Sequence, residues 1–437
     1  MKLKLWQTIQ AVFKNQSNSG IAIFLSVLVA MAWANSPFNA YYKSFINTEI
    51  SIGIGSFSIS EPFLIWVNDG LMAIFFLQVG LELKKELIGG KLSSFRKAIM
   101  PIGAAFGGML VPAIIYVAFN INAASIQGWG IPMATDIAFA LGILSIFGKR
   151  IPISLKVFLV ALATVDDLGA VLVIAIFYTS GISLMDLLHG FMFFLVLLAG
   201  NHLGLRKAWF YAIVGIGGVW LAFFFSGVHP TIAGILTAFA IPGKVKIKEG
   251  DYLKKLQKLH IKFIGSQHVK GDFISEEQLN ILEEIKQKSD DAETPLQKIE
   301  QRLSPIVGFF ILPLFALVNT GIHIHGDMVE ILTNTISLGI AFGLIAGKFI
   351  GVFGTCWLMA KLKIAELPQN VNWLHVAAIS LIAGIGFTMS LFITELAFIN
   401  EEHTFIAKIS ILFTSALSAI LGAVMLHFSS RKAGKFA

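Results

Sequence analysis

Residues 153–178 read ISLKVFLVALATVDDLGAVLVIAIFY, an apolar run with two adjacent carboxylates, Asp166 and Asp167, at its centre. A helix needs about 20 apolar residues to cross a bilayer, so this run predicts a transmembrane helix. A charged group at the centre of such a helix costs about 2.5–3.5 kcal/mol on the insertion scale. The two carboxylates are therefore candidates for a functional site rather than for ordinary surface polarity.

The rest of the chain has the same apolar character. Its 437 residues are 56% hydrophobic and only 14% charged, and the mean hydropathy is +0.78. Soluble domains carry about 25% charged residues, so a soluble enzyme and a disordered chain are excluded and a polytopic membrane protein remains. The single cysteine, Cys356, cannot form an internal disulfide. Twelve apolar runs are predicted to be helical spans: Ile21–Ala34, Pro62–Leu83, Ala98–Phe119, Ala123–Phe147, Ile153–Tyr178, Leu184–Ala199, Ala208–Phe224, Val228–Ile241, Ser304–Val318, Ile336–Met359, Leu374–Ile399 and Phe405–Phe428.

Positive charges are distributed unevenly between the two sides that these spans define. If the spans alternate across the bilayer, all of the 33 lysines and arginines except Lys43, Lys348 and Lys408 lie on the side that also holds both termini. The positive-inside rule makes that side the cytoplasm. We therefore expect the lipid bilayer, and not a nucleic acid, to be the partner of this chain with its net charge of +7.

The N-terminal segment has two interpretations. Residues 1–34 could be a cleaved signal peptide, because the residues at 32–34 are Ala-Trp-Ala after an apolar stretch. Alternatively, residues 2–14 form an interfacial helix that leads into a retained first span. The alternation of apolar residues with lysines in this segment favours the second interpretation.

Two stretches outside the spans break the helical pattern. Residues 50–60 alternate with period two around glycines, which predicts a small outer β-hairpin at about 48–61. Residues 244–302 hold 23 charged side chains of both signs, which predicts a cytoplasmic, partly helical loop. This loop is either a solvated tether or a regulatory subdomain. The chain then divides into spans one to eight (1–243), the loop (244–302) and spans nine to twelve (303–437).

Four ionisable groups fall inside the predicted spans: Asp136, Asp166, Asp167 and Lys348. Unpaired, they would together cost on the order of 10 kcal/mol, so we expect them to converge. A single Asp–Lys pair could be purely structural, but three carboxylates against one lysine leave an uncompensated negative charge. Removal from water disfavours a charged carboxylate, so protons and a small hard cation would compete for the same oxygens. This pattern indicates ion exchange and calls for no cofactor.

Two spans carry helix-breaking residues near their centres. Pro132 interrupts the fourth span one turn before Asp136, and Gly384 and Gly386 interrupt the eleventh. Each is the middle helix of a group of three, which predicts inverted repeats whose broken helices cross at the midplane. The tenth span also has a glycine ridge for close packing beside Lys348: Gly339, Gly343, Gly347 and Gly351.

Six motifs extend this pattern: VGLELKKEL (79–87), ATDIAFALG (134–142), TVDDLGA (164–170), SGVH (226–229), LPLFA (312–316) and GIGFTM (384–389). In this order they resemble the NhaA-type sodium/proton antiporters of bacteria, over roughly residues 15–430 apart from the long loop. The resemblance implies a secondary transporter of the cell inner membrane. Such a protein expels Na⁺ or Li⁺, admits a larger number of H⁺, is driven by the membrane potential and is regulated by pH.

The resemblance also implies a role for each matching residue. Asp167 would be the main carrier of cation and proton, and Asp166 would share the transported Na⁺ and pair with Lys348. Asp136 and Thr135 would lie where the broken helices cross and would balance their dipole ends. Access would alternate by rocking of one helix group against the rest.

Regulation and assembly follow from the resemblance in the same way. It implies a homodimer joined through residues 50–60 and activation at alkaline pH. The matching pH-response candidates are Glu82, Lys85, Glu86, His229 and Glu300. These charges could instead be interfacial anchors, and a lone histidine at a helix start is commonly structural. Gln301 and Ser304 stand where some relatives have histidines, so the activating pH does not follow from the resemblance.

Other classes of protein fit less well. Intramembrane aspartyl proteases carry a Gly-x-Gly-Asp signature, which this sequence lacks. A passive channel would need a continuous polar lining, and these spans have few polar residues beyond the central group. A K⁺ antiporter or a symporter on a related scaffold stays open, because carboxylates alone do not set ion size or coupling direction.

Overall fold

The computed structural model describes residues 19–55, 57–90, 93–179, 181–267 and 273–433. The interfacial helix expected over residues 2–14 lies outside this range. The described residues are mostly helical, with one two-stranded antiparallel sheet. The helices are α1 (Ser19–Ala34), α2 (Asn39–Ile46), α3 (Phe63–Gly89), α4 (Phe95–Asn120), the 3₁₀ helix α5 (Ala124–Met133), α6 (Ile137–Ile146), α7 (Ile153–Phe177), α8 (Leu184–His202), α9 (Ala208–Ser226), α10 (Thr231–Ala240), α11 (Glu249–Gly265), α12 (Glu276–Ala292), α13 (Pro295–Asn319), α14 (Met328–Thr333), α15 (Thr335–Lys361), α16 (Trp373–Ile382), α17 (Phe387–Ala397) and α18 (Glu401–Ala433).

The apolar helices define a multi-pass membrane protein. Eight of the described helices are long and apolar enough to cross a bilayer, namely α3, α4, α7, α8, α9, α13, α15 and α18. Three further pairs pass the same test but are bent, by 120° between α1 and α2, 41° between α5 and α6, and 43° between α16 and α17. Counting each bent pair as one span gives up to eleven among the described residues.

The eighth predicted span, Val228–Ile241, contains the short helix α10. Its 10 residues extend only about 15 Å at 1.5 Å per residue, which is half of a hydrocarbon core of about 30 Å. The helix begins late because Gly227 ends α9 with a left-handed φ of 79° and Pro230 directly precedes Thr231. The total of twelve spans therefore stays a prediction.

The predicted β-hairpin is confirmed. Strands β1 (Glu49–Ile54) and β2 (Phe57–Pro62) pair antiparallel, with Glu49 opposite Pro62 and Ile54 opposite Phe57. The indole Nε1 of Trp66 in α3 donates a 2.9 Å hydrogen bond to the carbonyl of Ile50, which ties the hairpin to the membrane helices. We call this side of the molecule the hairpin end.

Helix α15 packs closely on α4 along its glycine ridge. A Cβ added to Gly351 would lie 2.2 Å from the carbonyl oxygen of Gly107, and one added to Gly347 would lie 2.8 Å from the Cα of Pro112. Two π-helical segments, Gly343–Gly347 and Phe349–Phe353, flank Lys348 on either side. Such segments are rare and are frequent at functional sites. The ridge therefore brings two backbones into contact beside the buried lysine.

Replacing Gly351 with alanine is expected to destabilise this contact by about 1–3 kcal/mol, because the new methyl group overlaps backbone that cannot rotate away. Thermal unfolding of the purified protein would measure the effect. Gly354→Ala on the same helix is the matched control, since an added Cβ there meets nothing within 4 Å. Equal unfolding temperatures for the two variants would contradict the close contact.

The charged loop over residues 244–302 is largely helical. Helices α11 and α12 pack against each other, and the Tyr252 hydroxyl lies 3.0 Å from that of Ser289. Arg206, in the turn after α8, donates to the carbonyls of Lys244 at 2.9 Å and Glu293 at 3.0 Å, which fixes both ends of the pair. We call this side of the molecule the lysine-rich end. The domain boundaries proposed from the sequence stay predictions.

Candidate ion-binding site

The breaks in two of the bent pairs, α5–α6 and α16–α17, cross each other inside the protein. Between α5 and α6, the Asp136 backbone N–H donates to the Ile385 carbonyl at 2.6 Å, and the Thr135 hydroxyl donates to the Ala383 carbonyl at 2.8 Å. Gly384 allows α15 to pack closely against the second break, because a Cβ there would lie 2.2 Å from the Leu344 carbonyl oxygen. An extended segment at residues 134–136 and a turn at residues 383–386 therefore meet at the ends of four half-helices.

Asp136 has both carboxylate oxygens occupied at this crossing. Its Oδ1 accepts the Phe139 backbone N–H at 3.1 Å, which caps the N-terminus of α6. Its Oδ2 accepts the backbone N–H and the hydroxyl of Thr388, at 3.1 and 2.5 Å, in the first turn of α17. A helix N-terminus carries about half a positive charge, so one carboxylate faces two positive ends.

Asp166 and Lys348 form an ion pair in the protein interior. The Lys348 Nζ lies 2.7 Å from Asp166 Oδ2, and neither side chain has solvent-exposed surface. Lys348 reaches Asp166 past α4, where a Cβ added to Gly108 would lie 3.9 Å from its Nζ. Among the described residues, the Oδ1 of Asp166 has no hydrogen-bond partner. The pair is thus fully desolvated but incompletely hydrogen-bonded.

Asp167 faces in a different direction from Asp166, as expected for neighbours about 100° apart on a helix. It is 2% exposed, and its buried Oδ1 also has no hydrogen-bond partner in the part of the chain that the structure describes. It lines a cavity that Asp166 does not line. Buried oxygens in proteins are nearly always paired, so two unpaired carboxylate oxygens on adjacent residues indicate a missing ligand.

The cavity links Asp167 to the lysine-rich end. It has a volume of about 80 Å³, which holds several water molecules at about 10–15 Å³ each. Asp136, Thr135 and Thr388 line it near Asp167, and Glu82 and Ser304 line it further along. The carboxylate and hydroxyl oxygens at its Asp167 end suit a hard cation. Within the described ranges, no group of three or more His, Cys, Asp or Glu side chains is arranged to hold a metal ion, so neutral oxygens would have to complete a coordination shell.

The pH-response candidates separate into two places. At the lysine-rich end, Lys85 Nζ lies 3.0 Å from the carboxylate of Glu300, Glu82 lies one turn earlier on α3 and Glu86 follows directly after Lys85. His229 lies apart from them, before α10, where its Nε2 is 3.5 Å from Asp69 and its Nδ1 is 2.7 Å from the Thr231 hydroxyl.

Two residues of these networks are not predicted from the sequence. They are Thr388, in the GIGFTM motif, and Asp69, in the second apolar run. A threonine next to a helix break and an aspartate within an apolar run are detectable signals. Their partners, Asp136 and His229, are distant in sequence and could not be identified without the fold.

These features define the class of ion-coupled membrane transporters. They are the apolar spans, the crossing of broken helices and the desolvated group of three carboxylates with one lysine. Comparison with known proteins narrows this class. The family model described as Na⁺/H⁺ antiporter 1 matches residues 10–426. The chain therefore belongs to this family of secondary transporters, which exchange sodium for protons and are not enzymes.

Individual relatives are similar in sequence to this chain over almost their whole length. The Na⁺/H⁺ antiporter NhaA 1 of Clostridium beijerinckii is 45% identical, with 97% of this chain and 96% of the relative covered. The NhaA antiporter of Oleidesulfovibrio alaskensis is 44% identical over 97% of this chain and 94% of its own. That of Helicobacter pylori is 42% identical over 98% and 96%.

Proposed function

We propose that this chain exports Na⁺ in exchange for a larger number of H⁺, with Asp167 as the principal carrier of both ions. One observation carries this proposal: Asp167 lines the cavity, and its buried Oδ1 has no hydrogen-bond partner among the described residues. A buried carboxylate is neutralised either by a proton or by a bound cation. Binding of one lowers the affinity of the carboxylate for the other.

The charges of the site support the same assignment. Asp136 is offset by the two helix N-termini that donate to it, each worth about half a charge. Asp166 is offset by Lys348. Asp167 alone is left without a compensating charge, so its occupancy must change for a cation to enter or leave. Pro132, Gly384 and Gly386 supply the breaks that hold Asp136 and Thr135 at this point.

Exchange of one Na⁺ for one H⁺ at Asp167 would be electroneutral, so an electrogenic cycle needs a second proton. We assign this second proton to the Asp166–Lys348 ion pair. Asp166 precedes Asp167 on α7, and Lys348 lies on helix α15. A cation bound at Asp167 and Asp166 repels the Lys348 ammonium and favours loss of its proton. Each net charge that moves through 100 mV of membrane potential supplies about 2.3 kcal/mol for export.

Sidedness and regulation follow from the positive-inside rule and the position of the cavity. The lysine-rich end would face the cytoplasm of a bacterial cell inner membrane, with both termini on that side. Na⁺ would then enter through the cavity past Glu82. The Lys85–Glu300 pair near this entrance, with Glu86, is our candidate for a pH-dependent gate. Rocking of the crossing half-helices would open the site to the other side, and the two three-helix groups would be inverted repeats.

The hairpin is our candidate for a homodimer contact. Both strands have an unpaired edge among the described residues, and Ile52 on β1 is 58% exposed. An edge strand of this kind pairs readily with a second copy. Light scattering of the protein in detergent is expected to give the mass of two chains, and a single-chain mass would contradict the dimer.

Ion exchange can be tested in inside-out membrane vesicles that hold an acidic interior. Addition of Na⁺ or Li⁺ is expected to collapse the pH gradient, and K⁺ is expected to leave it intact. A more positive vesicle interior is expected to accelerate exchange, because net positive charge leaves the vesicle as more protons exit than Na⁺ enters. Equal responses to K⁺ and Na⁺ would favour the K⁺ antiporter, and a rate independent of membrane potential would contradict electrogenic exchange.

A further inference from the structure

Gln78 lies in the wall of the cavity and belongs to none of the groups described above. It is on α3, one helical turn before Glu82, and both residues line the cavity that ends at Asp167. Residues four apart on a helix lie on the same face, so Gln78 stands between Glu82 and the deeper part of the site. Its Oε1 is buried and has no hydrogen-bond partner among the described residues.

An unpaired buried amide oxygen is costly, by about 1–3 kcal/mol. In a well-packed span, leucine or methionine would fill the same space without this cost. Gln78 Oε1 and Asp167 Oδ1 are the two unpaired buried side-chain oxygens among the cavity-lining residues that the structure describes. This coincidence indicates that both oxygens are satisfied by the same kind of species, one that passes through the cavity.

Several other side-chain oxygens near the site already take part in hydrogen bonds. Asp136 accepts three hydrogen bonds, and Asp166 Oδ2 accepts from Lys348. Thr135 donates its proton to the Ala383 carbonyl and retains only lone pairs. The unpaired Gln78 oxygen and the lone pairs of the Thr135 hydroxyl therefore remain in the cavity wall as neutral ligands for a cation at Asp167, together with water. Amide oxygens are suitable ligands for hard cations, and a neutral amide does not bind protons in the physiological range.

We propose that the Gln78 side-chain oxygen is a ligand for partly dehydrated Na⁺ on its way to Asp167, and that it sets the apparent affinity for Na⁺ without contributing to proton binding. The inference rests on the proposed role of Asp167. It adds a residue that acts on only one of the two competing ions, whereas every carboxylate of the site acts on both.

Gln78→Met tests the proposal, because methionine keeps the length of the side chain and removes the oxygen. We expect the KM for Na⁺ to rise about ten-fold at each pH, which corresponds to about 1.4 kcal/mol. The rate at saturating Na⁺ should change less than two-fold, and the inhibition constant for H⁺ should stay the same. Gln78→Glu restores an oxygen but adds a titratable group, so its KM should stay low at alkaline pH and rise more steeply than that of the wild type as the pH falls.

Leu77→Met is the matched control, since Leu77 is the neighbouring residue on α3 and lines a separate apolar groove. It should leave the KM and the unfolding temperature unchanged. An unaltered Na⁺ KM in Gln78→Met would overturn the proposal. A rise in KM accompanied by a lower maximal rate and a lower unfolding temperature would also overturn it, because that pattern indicates a packing role. Full activity in Asp167→Asn would instead refute the proposed role of Asp167. This result is distinguishable from a failure of the Gln78 proposal, because the two variants are measured independently.

Discussion

The Asp167→Asn variant is expected to fold normally and to lose Na⁺-dependent proton movement completely. Asparagine has nearly the same shape as aspartate, but it can neither bind a proton nor offer a negative charge to Na⁺. Because Asp167 has no compensating charge in the site, removing its charge should not destabilise the protein. The rate of pH-gradient collapse in inside-out vesicles is expected to fall to that of vesicles without the protein.

Asp186→Asn is the control for this variant. Asp186 lies in the first turn of α8, accepts a hydrogen bond from the Ser183 hydroxyl at 2.6 Å and is partly exposed, on a helix that packs against α9 and α10. Its replacement should leave transport unchanged. Residual exchange in Asp167→Asn at more than a few per cent of the wild-type rate would remove Asp167 from the mechanism.

The Lys348→Met variant is expected to lose stability as well as transport. Breaking a buried ion pair by removing one partner costs about 3–5 kcal/mol, because it leaves an uncompensated charge on the other. Here that charge would be on Asp166, which has no solvent-exposed surface. We expect a large fall in the unfolding temperature and severely weakened exchange, with a shifted pH dependence in whatever activity survives.

A double variant separates the two effects. In Lys348→Met/Asp166→Leu both partners are apolar, and replacing a buried pair by apolar groups of similar volume is often nearly neutral for stability. The double variant should therefore recover much of the lost unfolding temperature and none of the electrogenic exchange. If Lys348→Met unfolds at the wild-type temperature, the ion pair does not have the structural role described here.

Much of the fold and site was predictable from the sequence because buried charge and helix breakers are conspicuous in apolar runs. Asp136, Asp166, Asp167 and Lys348 stand out for the energy that an unpaired charge would cost at the midplane. The hairpin at residues 50–60 was predictable because its alternation has a period of two and its neighbours have none.

What could not be predicted depends on neutral polar groups and on contacts between distant segments. Nothing in the sequence pairs Thr388 with Asp136, which lies in another half-helix. Gln78 is an ordinary residue in a helix sequence, and only the cavity shows that its amide oxygen is unpaired. The predicted span Val228–Ile241 is longer than helix α10, because the apolar run extends across Pro230 whereas the helix begins at Thr231.

The competition between ions at Asp167 can be measured directly as proton release from the purified protein. Na⁺ is added in a weakly buffered solution at several pH values, and the H⁺ released is compared with the Na⁺ bound. We predict more than one H⁺ released for each Na⁺ bound by the wild type near neutral pH, and none released by Asp167→Asn. Binding of Na⁺ without any release of H⁺, at every pH tested, would contradict exchange by competition for a shared carboxylate.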